Sequence, residues 1–385
     1  MRVLHTSDWH VGKRIGRFDR LADYRDTIDE VVAIADGNGV DLVLHAGDLF
    51  DVARPPVDAL DVALRGLVRL AAGGRRPVVV VAGHHDSGAL FDVLAPQLRP
   101  VGVHMVGGVR RPDEGGVLEL ESRAGIAVVA CFPFLREGRV VDLGDDAGSW
   151  YTQYADRLRR VCEALAARTA AVAPPGAATF LLSHFLVGGV KVRPGTGERA
   201  LHMGEAYAAS SQAIPPSFDY VALGHIHAPQ HVPGVAVPAE YAGSLLQLDF
   251  GEAGEDKRVV LVDVPTDGLA KVEQVPITSG RRLARAAARW EELEADRSLD
   301  DCYLDLVVHT DGPDPELGER ARQRFPLAVR VVAEYPREES ASRNLRYREL
   351  IDAYIDYRLD TVGREPDEGL LEAFRSLEEE VDAAP

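Results

Sequence analysis

The sequence is poor in cysteine and lysine, and it contains no long apolar run. Only three of its 385 residues are cysteine. Cys131, Cys162 and Cys302 lie far apart without the spacing of a metal site. We therefore expect reduced thiols in a cytoplasmic protein. No run of about 18 or more apolar residues occurs, and the first residues lack a secretory pattern, so neither a membrane span nor a signal peptide is expected.

Basic residues are outnumbered by acidic ones. The chain has 43 Lys and Arg against 61 Asp and Glu, for a net charge of −18. This balance excludes general polyanion binding by the whole surface, but a local basic patch can still hold phosphates. Almost all basic residues are Arg, whose fork suits phosphate oxygens. Genomic base composition would explain the same bias equally simply.

The chain is too long for one small core, and its patterns predict three parts. Over residues 1–275, strand-like runs alternate with helical periodicity, which is typical of an α/β sheet covered by helices. A break at Pro276–Arg282 precedes a small unit at 280–338, in which Leu283–Ala295 is predicted to be helical. Two apolar stripes over 341–385 predict amphipathic helices that pack on their own domain or dock on a partner.

Five short motifs bearing His and Asp follow strand-like runs. They are Ser-Asp-Trp-His at 7–10, Gly-Asp-Leu-Phe-Asp at 47–51, Gly-His-His-Asp at 83–86, Ser-His at 183–184 and Gly-His-Ile-His at 224–227. In extended backbone, residues two apart share a face, so Asp8/His10 and His225/His227 can each direct two ligands to one place. Asp48 follows a glycine and is the candidate bridging carboxylate.

A mixed set of imidazoles and carboxylates suits Mn, Fe, Zn or Co better than Ca or Mg. Taken singly, each motif is weak evidence, because histidines are also found in cores and loops. His5 and His45, inside predicted strands, are expected in the core. The five motifs together predict a site for two divalent metals that acts on phosphate esters.

The order of these motifs resembles that of the calcineurin-like metallophosphoesterases, and most closely that of the SbcD family of bacterial nuclease subunits. The similarity rests on 5–12, 46–51, 220–230 and 241–252; it is strong over 1–275 and looser beyond. It implies an α/β fold, a metallophosphoesterase β-sandwich flanked by helices. It also implies a small α+β capping domain that binds DNA (280–338) and a C-terminal helix-loop-helix for a partner ATPase (341–385).

The resemblance also implies roles for the motif residues. One metal would be held by Asp8, His10, Asp48 and His227, and the other by Asp48, position 84, His184 and His225. Manganese is the favoured metal, with Mg, Zn and Fe as alternatives. His85 would be the catalytic histidine beside the phosphate, and Asp86 would orient it.

One residue departs from the family pattern. The family has Asn at position 84, where this chain has His84. Three interpretations stay open at this point. His84 ligates with a stronger preference for Zn, Fe or Mn over Mg, it crowds the second metal, or it is an engineered change.

The implied function is that of a metal-dependent DNA nuclease in repair and recombination. Such a nuclease acts as a 3′-to-5′ exonuclease on double-stranded ends and as an endonuclease on single strands and hairpins. An SbcC-type ATPase partner and a nuclease homodimer are implied with it. The alternatives are a phosphatase or phosphodiesterase on the same fold, and a DNA-end-binding scaffold whose second metal site His84 compromises.

Two groups of basic residues are candidate DNA contacts, with a merely solvated basic face as the alternative. The groups are Lys13, Arg14, Arg17 and Arg20 after the first motif, and Lys191, Arg193 and Arg199 after His184.

Overall fold

The computed structural model describes residues 1–135, 147–191, 209–336, 351, 354–355, 358 and 366–374, with the side chains of 147–153 excepted. The chain divides into two compact units. One consists of Met1–His309 and Asp314–Ala333, and the other of Thr310–Pro313 and Glu334–Pro385. Among the described residues, no helix is long and apolar enough to cross a membrane.

The secondary structure alternates between strands and helices, as the sequence pattern predicts. The strands in the described part of the chain are β1 (Arg2–Thr6), β2 (Leu42–His45), β3 (Val78–Val81), β4 (Val103–Val106), β5 (Val117–Ser122), β6 (Gly125–Phe132), β7 (Ala178–His184), β8 (Tyr220–Gly224), β9 (Gln230–His231), β10 (Ala239–Tyr241), β11 (Arg258–Asp263), β12 (Lys271–Pro276), β13 (Leu283–Arg289), β14 (Tyr303–His309) and β15 (Ala328–Glu334). The α-helices include α1 (Leu21–Gly37), α2 (Val57–Leu70), α3 (Gly88–Leu98), α4 (Ala147–Val172), α5 (Trp290–Ala295) and α6 (Leu317–Arg324).

Two six-stranded sheets form the body of the first unit. The first has the order β12-β11-β1-β2-β3-β4, with β1 to β4 parallel and β11 and β12 antiparallel. The second has the order β5-β6-β7-β8-β10-β9, with antiparallel strands only at its two edges. Strand β3 consists of four valines, all buried, as expected for a parallel strand covered on both faces.

The two sheets pack face to face through one apolar layer. Val3 and Val79 of the first sheet lie in the same buried cluster as Val129 and Phe180 of the second. Helices α1 and α2 cover the outer face of the first sheet, and α4 covers the outer face of the second. The chain is a β-sandwich flanked by helices, so the predicted fold class is confirmed.

Strands β13, β14 and β15 form a separate three-stranded sheet with its own apolar cluster. The helix predicted over Leu283–Ala295 is wrong in its first half, because Leu283–Arg289 is a strand and only Trp290–Ala295 is helical. The Ala and Arg residues of Leu283–Arg289 favour a helix locally. Pairing with β14 overrides that preference, and burial alternates from residue to residue along β13. The bounds 1–275, 280–338 and 341–385 stay our proposal for the domains.

The C-terminal unit is described only in part. Residues 351, 354–355, 358 and 368–374 are helical, in agreement with the two predicted stripes. The rings of Tyr354 and Phe374, one from each stripe, are stacked with centroids 4.6 Å apart and planes 9° apart. The rest of 341–385 lies outside the described residues, so the partner-docking hypothesis rests on the sequence pattern.

Arg20 joins the sandwich to the segment that leads into the three-stranded sheet. Its buried side chain donates from Nε to Asp23 over 3.0 Å, and from its two terminal nitrogens to the carbonyl oxygens of Gln247 and Arg281. The guanidinium also lies 5.3 Å from the ring centroid of Tyr303 in β14. Arg20 is therefore a structural residue at the junction of the two sheet systems.

Replacing Arg20 tests this role. We expect Arg20→Ala to lower the free energy of unfolding by about 3–5 kcal/mol, the usual cost of removing one partner of a buried ion pair. Urea titration followed by circular dichroism measures the loss. Arg65→Ala is the control, because the Arg65 side chain is 76% exposed and its replacement should cost less than about 0.5 kcal/mol. Equal losses in the two variants would contradict the structural role.

Candidate metal centre

The predicted ligands all lie just past the carboxyl ends of parallel strands. Asp8 and His10 follow β1, Asp48 follows β2, and His84 follows β3 in the first sheet. His184 ends β7, and His225 and His227 follow β8 in the second sheet. Because the two sheets pack face to face, their strand ends meet at one edge of the sandwich, where such folds place their sites.

The backbone at this edge is held in an unusual conformation. Asp8, His10, Asp48 and His225 have φ values of 49°, 48°, 50° and 100°, a region that side chains other than glycine rarely adopt. Backbone hydrogen bonds from Asp8 N to Gly47 O (2.9 Å) and from His10 N to Asp48 O (3.0 Å) hold the first two loops together. Conformational strain of this kind is concentrated at functional sites.

Two glycines provide the space that the site needs. A Cβ atom at Gly47 would collide with the ring of His184, and one at Gly83 would collide with the carboxylate of Asp48. The glycines at the second and third motifs are therefore required by close packing of the ligands themselves.

Three imidazoles and one carboxylate form what we call the His84 cluster: His84, His184, His225 and Asp48. Nδ1 of His84 lies 3.0 Å from Oδ2 of Asp48, 3.1 Å from Nε2 of His184 and 3.3 Å from Nδ1 of His225. Nε2 of His184 lies 3.3 Å from the same Asp48 oxygen. Nδ1 of His84 thus lies within 3.3 Å of one donor atom from each of the other three residues, and His84 belongs to the set.

A second group, the Asp8 cluster, consists of Asp8, His10 and His227, whose ligand atoms lie within 4.8 Å of one another. Asp48 links it to the His84 cluster, because its Oδ2 is also 3.5 Å from Nε2 of His10. The backbone N–H of His225 donates to both carboxylate oxygens of Asp8, at 3.0 and 3.2 Å. The geometry matches two adjacent cation positions that share Asp48.

The buried charges of the site call for cations. Asp8 and Asp48 are fully buried, and burial raises the pKa of the Asp8 carboxyl to about 6. Burial also acts upward on Asp48, but His84 and His184 hold the pKa of that carboxyl well below its usual range. Oδ2 of Asp48 and Nε2 of His10 are buried and accept or donate no hydrogen bond within the part of the chain that the structure describes. Two divalent cations would satisfy these atoms, so the residues present fit the metals that the sequence predicts.

Burial prepares two of the histidines as ligands. It lowers the pKa of His10 and of His84 to about 4 each, which favours the neutral imidazole that a metal requires. At His184 burial acts downward too, but the neighbouring carboxylates of Asp48 and Asp8 outweigh it and raise the pKa to about 9. Nδ1 of His184 donates to the carbonyl oxygen of Ala46 (2.7 Å), and Nδ1 of His227 donates to Oε1 of Glu252 (2.9 Å). In both rings the hydrogen bond leaves Nε2 as the ligand atom.

His85 and Asp86 lie beside the two clusters. The backbone N–H of His85 donates to Oδ1 of Asp48 (2.8 Å), and its Nδ1 donates to the carbonyl oxygen of Asp51 (2.6 Å). Asp86 accepts backbone N–H bonds from Gly83, Leu49 and Phe50, and so ties together the loops after β2 and β3. That Asp86 orients His85 stays a prediction.

In the first group of basic residues, Lys13 reaches a residue beside the centre, whereas Arg20 is buried elsewhere. Lys13 forms an ion pair with Asp51 (3.2 Å), and Arg14 and Arg17 are exposed in the same loop. Arg20 is only 1% exposed, so its guanidinium offers no surface for the DNA contact predicted for it. Lys191 is exposed, and the predicted contacts Arg193 and Arg199 lie outside the described residues.

The structure also places residues at the site that the motifs did not single out. Glu252 accepts a hydrogen bond from His227 and pairs with the buried Lys257 at 2.7 Å. The ring of Phe134 lies against His84, His184 and His225. Glu252 ends a stretch that resembles the SbcD family, and Lys257 is one of only four lysines. These were the available signals, whereas nothing in the sequence distinguishes Phe134.

The fold and the site define a class of protein. The family model of the calcineurin-like phosphoesterases matches residues 1–229, and the chain belongs to this family. It is therefore an enzyme, a metal-dependent hydrolase with His and Asp clusters at its strand ends.

Comparison with curated proteins narrows the class to SbcD, the nuclease subunit of SbcCD. The chain is 29% identical to SbcD of Bacillus subtilis (strain 168), over 98% of this chain and 97% of the relative. It is 33% identical to SbcD of Rhodobacter capsulatus, over 75% and 72%. It is 29% identical to SbcD of Escherichia coli (strain K12), over 81% and 78%.

Asp48 should be essential for hydrolysis. We expect Asp48→Ala to abolish cleavage of bis-p-nitrophenyl phosphate and to lower the metal content, because it removes the carboxylate shared by two cations. Metal analysis of the purified protein and a colorimetric assay measure both effects. Asp61→Ala, at an exposed carboxylate in α2, is the control. Two metals per chain and near-normal turnover in Asp48→Ala would contradict the bridging role.

His85 should act in the chemistry rather than as a ligand. We expect His85→Ala to keep the metal content and to lose roughly 2–4 orders of magnitude in rate, the scale of a positioned acid or base. The same two assays separate these effects. If metal were lost together with the rate, His85 would have to be counted among the ligands.

Proposed function

We propose that this protein is a metal-dependent DNA nuclease of the SbcCD type. It acts as a 3′-to-5′ exonuclease on double-stranded ends and as an endonuclease on single strands and hairpins, in DNA repair and recombination. The observation that supports this most directly is the Asp48 carboxylate, which lies between two groups of histidines at the strand ends of a phosphoesterase fold. The names of the relatives supply the class of activity, that of a nuclease; DNA as the substrate is part of the proposal.

The residues of the chain divide the chemical work among them. When bound, two divalent cations clamp a phosphate and lower the pKa of water at the site. Asp48 would be shared by the two cations, and the Asp8 and His84 clusters would supply the remaining ligands. The hydrogen bond from Nδ1 of His85 to Asp51 fixes the ring. Nε2 of His85 is then left to donate a proton to the departing 3′ oxygen.

The metal, the assembly and the location are part of the same proposal. Manganese is the favoured cation, with Mg, Zn and Fe as alternatives. We propose an SbcC-type ATPase as partner, a homodimer of the nuclease chain and a cytoplasmic location. The stacked Tyr354 and Phe374 side chains of the C-terminal unit support helical structure in the segment assigned to the partner. Co-purification with the ATPase and light scattering of the isolated chain test the two assembly claims.

A nuclease assay separates this function from its alternatives. The purified chain is incubated with Mn²⁺ and end-labelled hairpin, single-stranded and duplex DNA, with Asp48→Ala as the inactive control. We expect cleavage of the DNA substrates by the unmodified chain and none by the variant. Hydrolysis of phosphate monoesters without cleavage of DNA would favour a phosphatase. Binding of ends without any hydrolysis would favour the scaffold.

Contact with DNA should be local. We expect simultaneous replacement of Lys13, Arg14 and Arg17 by Ala to weaken DNA binding. The slope of log affinity against log salt should become shallower by about 0.9 for each phosphate contact removed. Arg157, Arg160 and Arg168 are exposed on α4, and their joint replacement removes the same charge as a control. Equal slopes for both triple variants would exclude the first loop as a DNA contact.

A further inference from the structure

We propose that His84 makes one of the two metal positions a low-coordination site of three imidazoles and one carboxylate that selects Zn²⁺ over Mn²⁺ and Mg²⁺. The centre then holds two unlike metals, with the oxygen-richer Asp8 cluster as the manganese position. This inference rests on the two-metal centre of the proposed function, but it does not depend on which phosphate ester is the substrate.

The first support is the fit of His84 among the ligands. Nδ1 of His84 lies 3.0–3.3 Å from the donor atoms of Asp48, His184 and His225. These separations are within a few tenths of an ångström of the spacing of about 3.3–3.4 Å between tetrahedral ligands at 2.0–2.1 Å from one ion. The His84 side chain is 5% exposed. An imidazole that crowded the position would be displaced from this set. Here it completes the set.

The second support is the donor chemistry of the two clusters. The His84 cluster offers three nitrogens and one oxygen, whereas Asp8, His10 and His227 with Asp48 offer two of each. Imidazole ligands suit Zn²⁺, and carboxylate and water oxygens suit Mn²⁺ and Mg²⁺. An Asn at position 84 would replace a nitrogen by an oxygen and make the two clusters alike in donor type.

The third support is an apolar wall against the imidazoles. The ring centroid of Phe134 lies 5.4 Å from that of His84, and 6.2 Å from those of His184 and His225. Phe134 is held there by a hydrogen bond from its backbone N–H to the carbonyl oxygen of Ala82 (2.9 Å), just past β3. An aromatic ring at this distance limits the room for water ligands, which Mg²⁺ retains in most of its sites and Zn²⁺ sheds.

The test measures metal selectivity in the absence of DNA. Metal-free protein is titrated with Zn²⁺ and with Mn²⁺ in competition with a chromogenic chelator. The ratio of the two dissociation constants is then compared between the unmodified chain and His84→Asn. An amide oxygen in place of an imidazole nitrogen disfavours Zn²⁺ relative to Mn²⁺. We expect the preference for zinc at one site to fall by about tenfold, the lower end of the effects that changes around metal ligands have on affinity.

The matched control is His231→Asn, since His231 is largely exposed and pairs with Glu240 outside both clusters. Its metal selectivity should equal that of the unmodified chain. Equal selectivity in His84→Asn, or a stronger preference for zinc in that variant, would overturn the proposal. Failure of the nuclease assay would leave these binding constants unaffected, so the two proposals fail separately.

Cobalt spectroscopy provides a second measurement that does not depend on replacing a ligand. Co²⁺ with four or five ligands absorbs visible light much more strongly than Co²⁺ with six. We expect strong bands from the unmodified chain loaded with Co²⁺ and weaker bands from Phe134→Ala, which keeps every ligand but admits water. Weak bands in the unmodified chain would show six ligands at both positions and would contradict the proposal.

Discussion

A carboxylate buried away from water must be compensated, and the site of this protein is organised around that of Asp48. One of its oxygens accepts the backbone N–H of His85. The other lies within 3.5 Å of ring nitrogens from His10, His84 and His184. These partners come from the carboxyl ends of three different strands, β1 and β3 in the first sheet and β7 in the second. Bringing these partners together requires strained backbone, because Asp8, His10 and Asp48 adopt left-handed conformations. It also requires glycine at positions 47 and 83, where a Cβ atom would collide with the ligands.

The net charge of −18 does not conflict with an anionic substrate, because the relevant charge is local. The buried acidic groups of the centre are the ones that cations would neutralise. The basic loop with Lys13, Arg14 and Arg17 begins directly after the first ligand motif. The ammonium group of Lys13 pairs with the carboxylate of Asp51, and the backbone carbonyl oxygen of Asp51 accepts a hydrogen bond from His85. Arg20 ends the same segment but points inward, where it anchors the loop to the body of the protein.

Hydrogen bonds to residues outside the ligand set orient the rings of the site. Carbonyl oxygens orient His184 and His85, while the buried pair of Glu252 and Lys257 orients His227. A ring fixed by such a bond presents one defined nitrogen to a metal or to a substrate, and so loses little entropy on binding. The two clusters differ mainly in their content of nitrogen and oxygen, and position 84 decides this difference.

The sequence by itself determined the class of fold and indicated which His and Asp side chains lie together at one edge of it. Apolar runs of strand length alternate with helical periodicity, and polar motifs follow the runs directly, so local order along the chain was enough.

Tertiary structure decided what depends on contacts between distant segments. Leu283–Arg289 forms a strand because pairing with β14 outweighs its helical propensity. Arg20 is buried because Gln247, Arg281 and Tyr303 surround it, and a pattern of charges along the chain cannot show that. Glu252 and Phe134 reach the centre from more than 20 residues away from the ligands they contact. A periodic pattern in the sequence cannot predict these contacts, because packing between the sheets, rather than spacing along the chain, brings the side chains together.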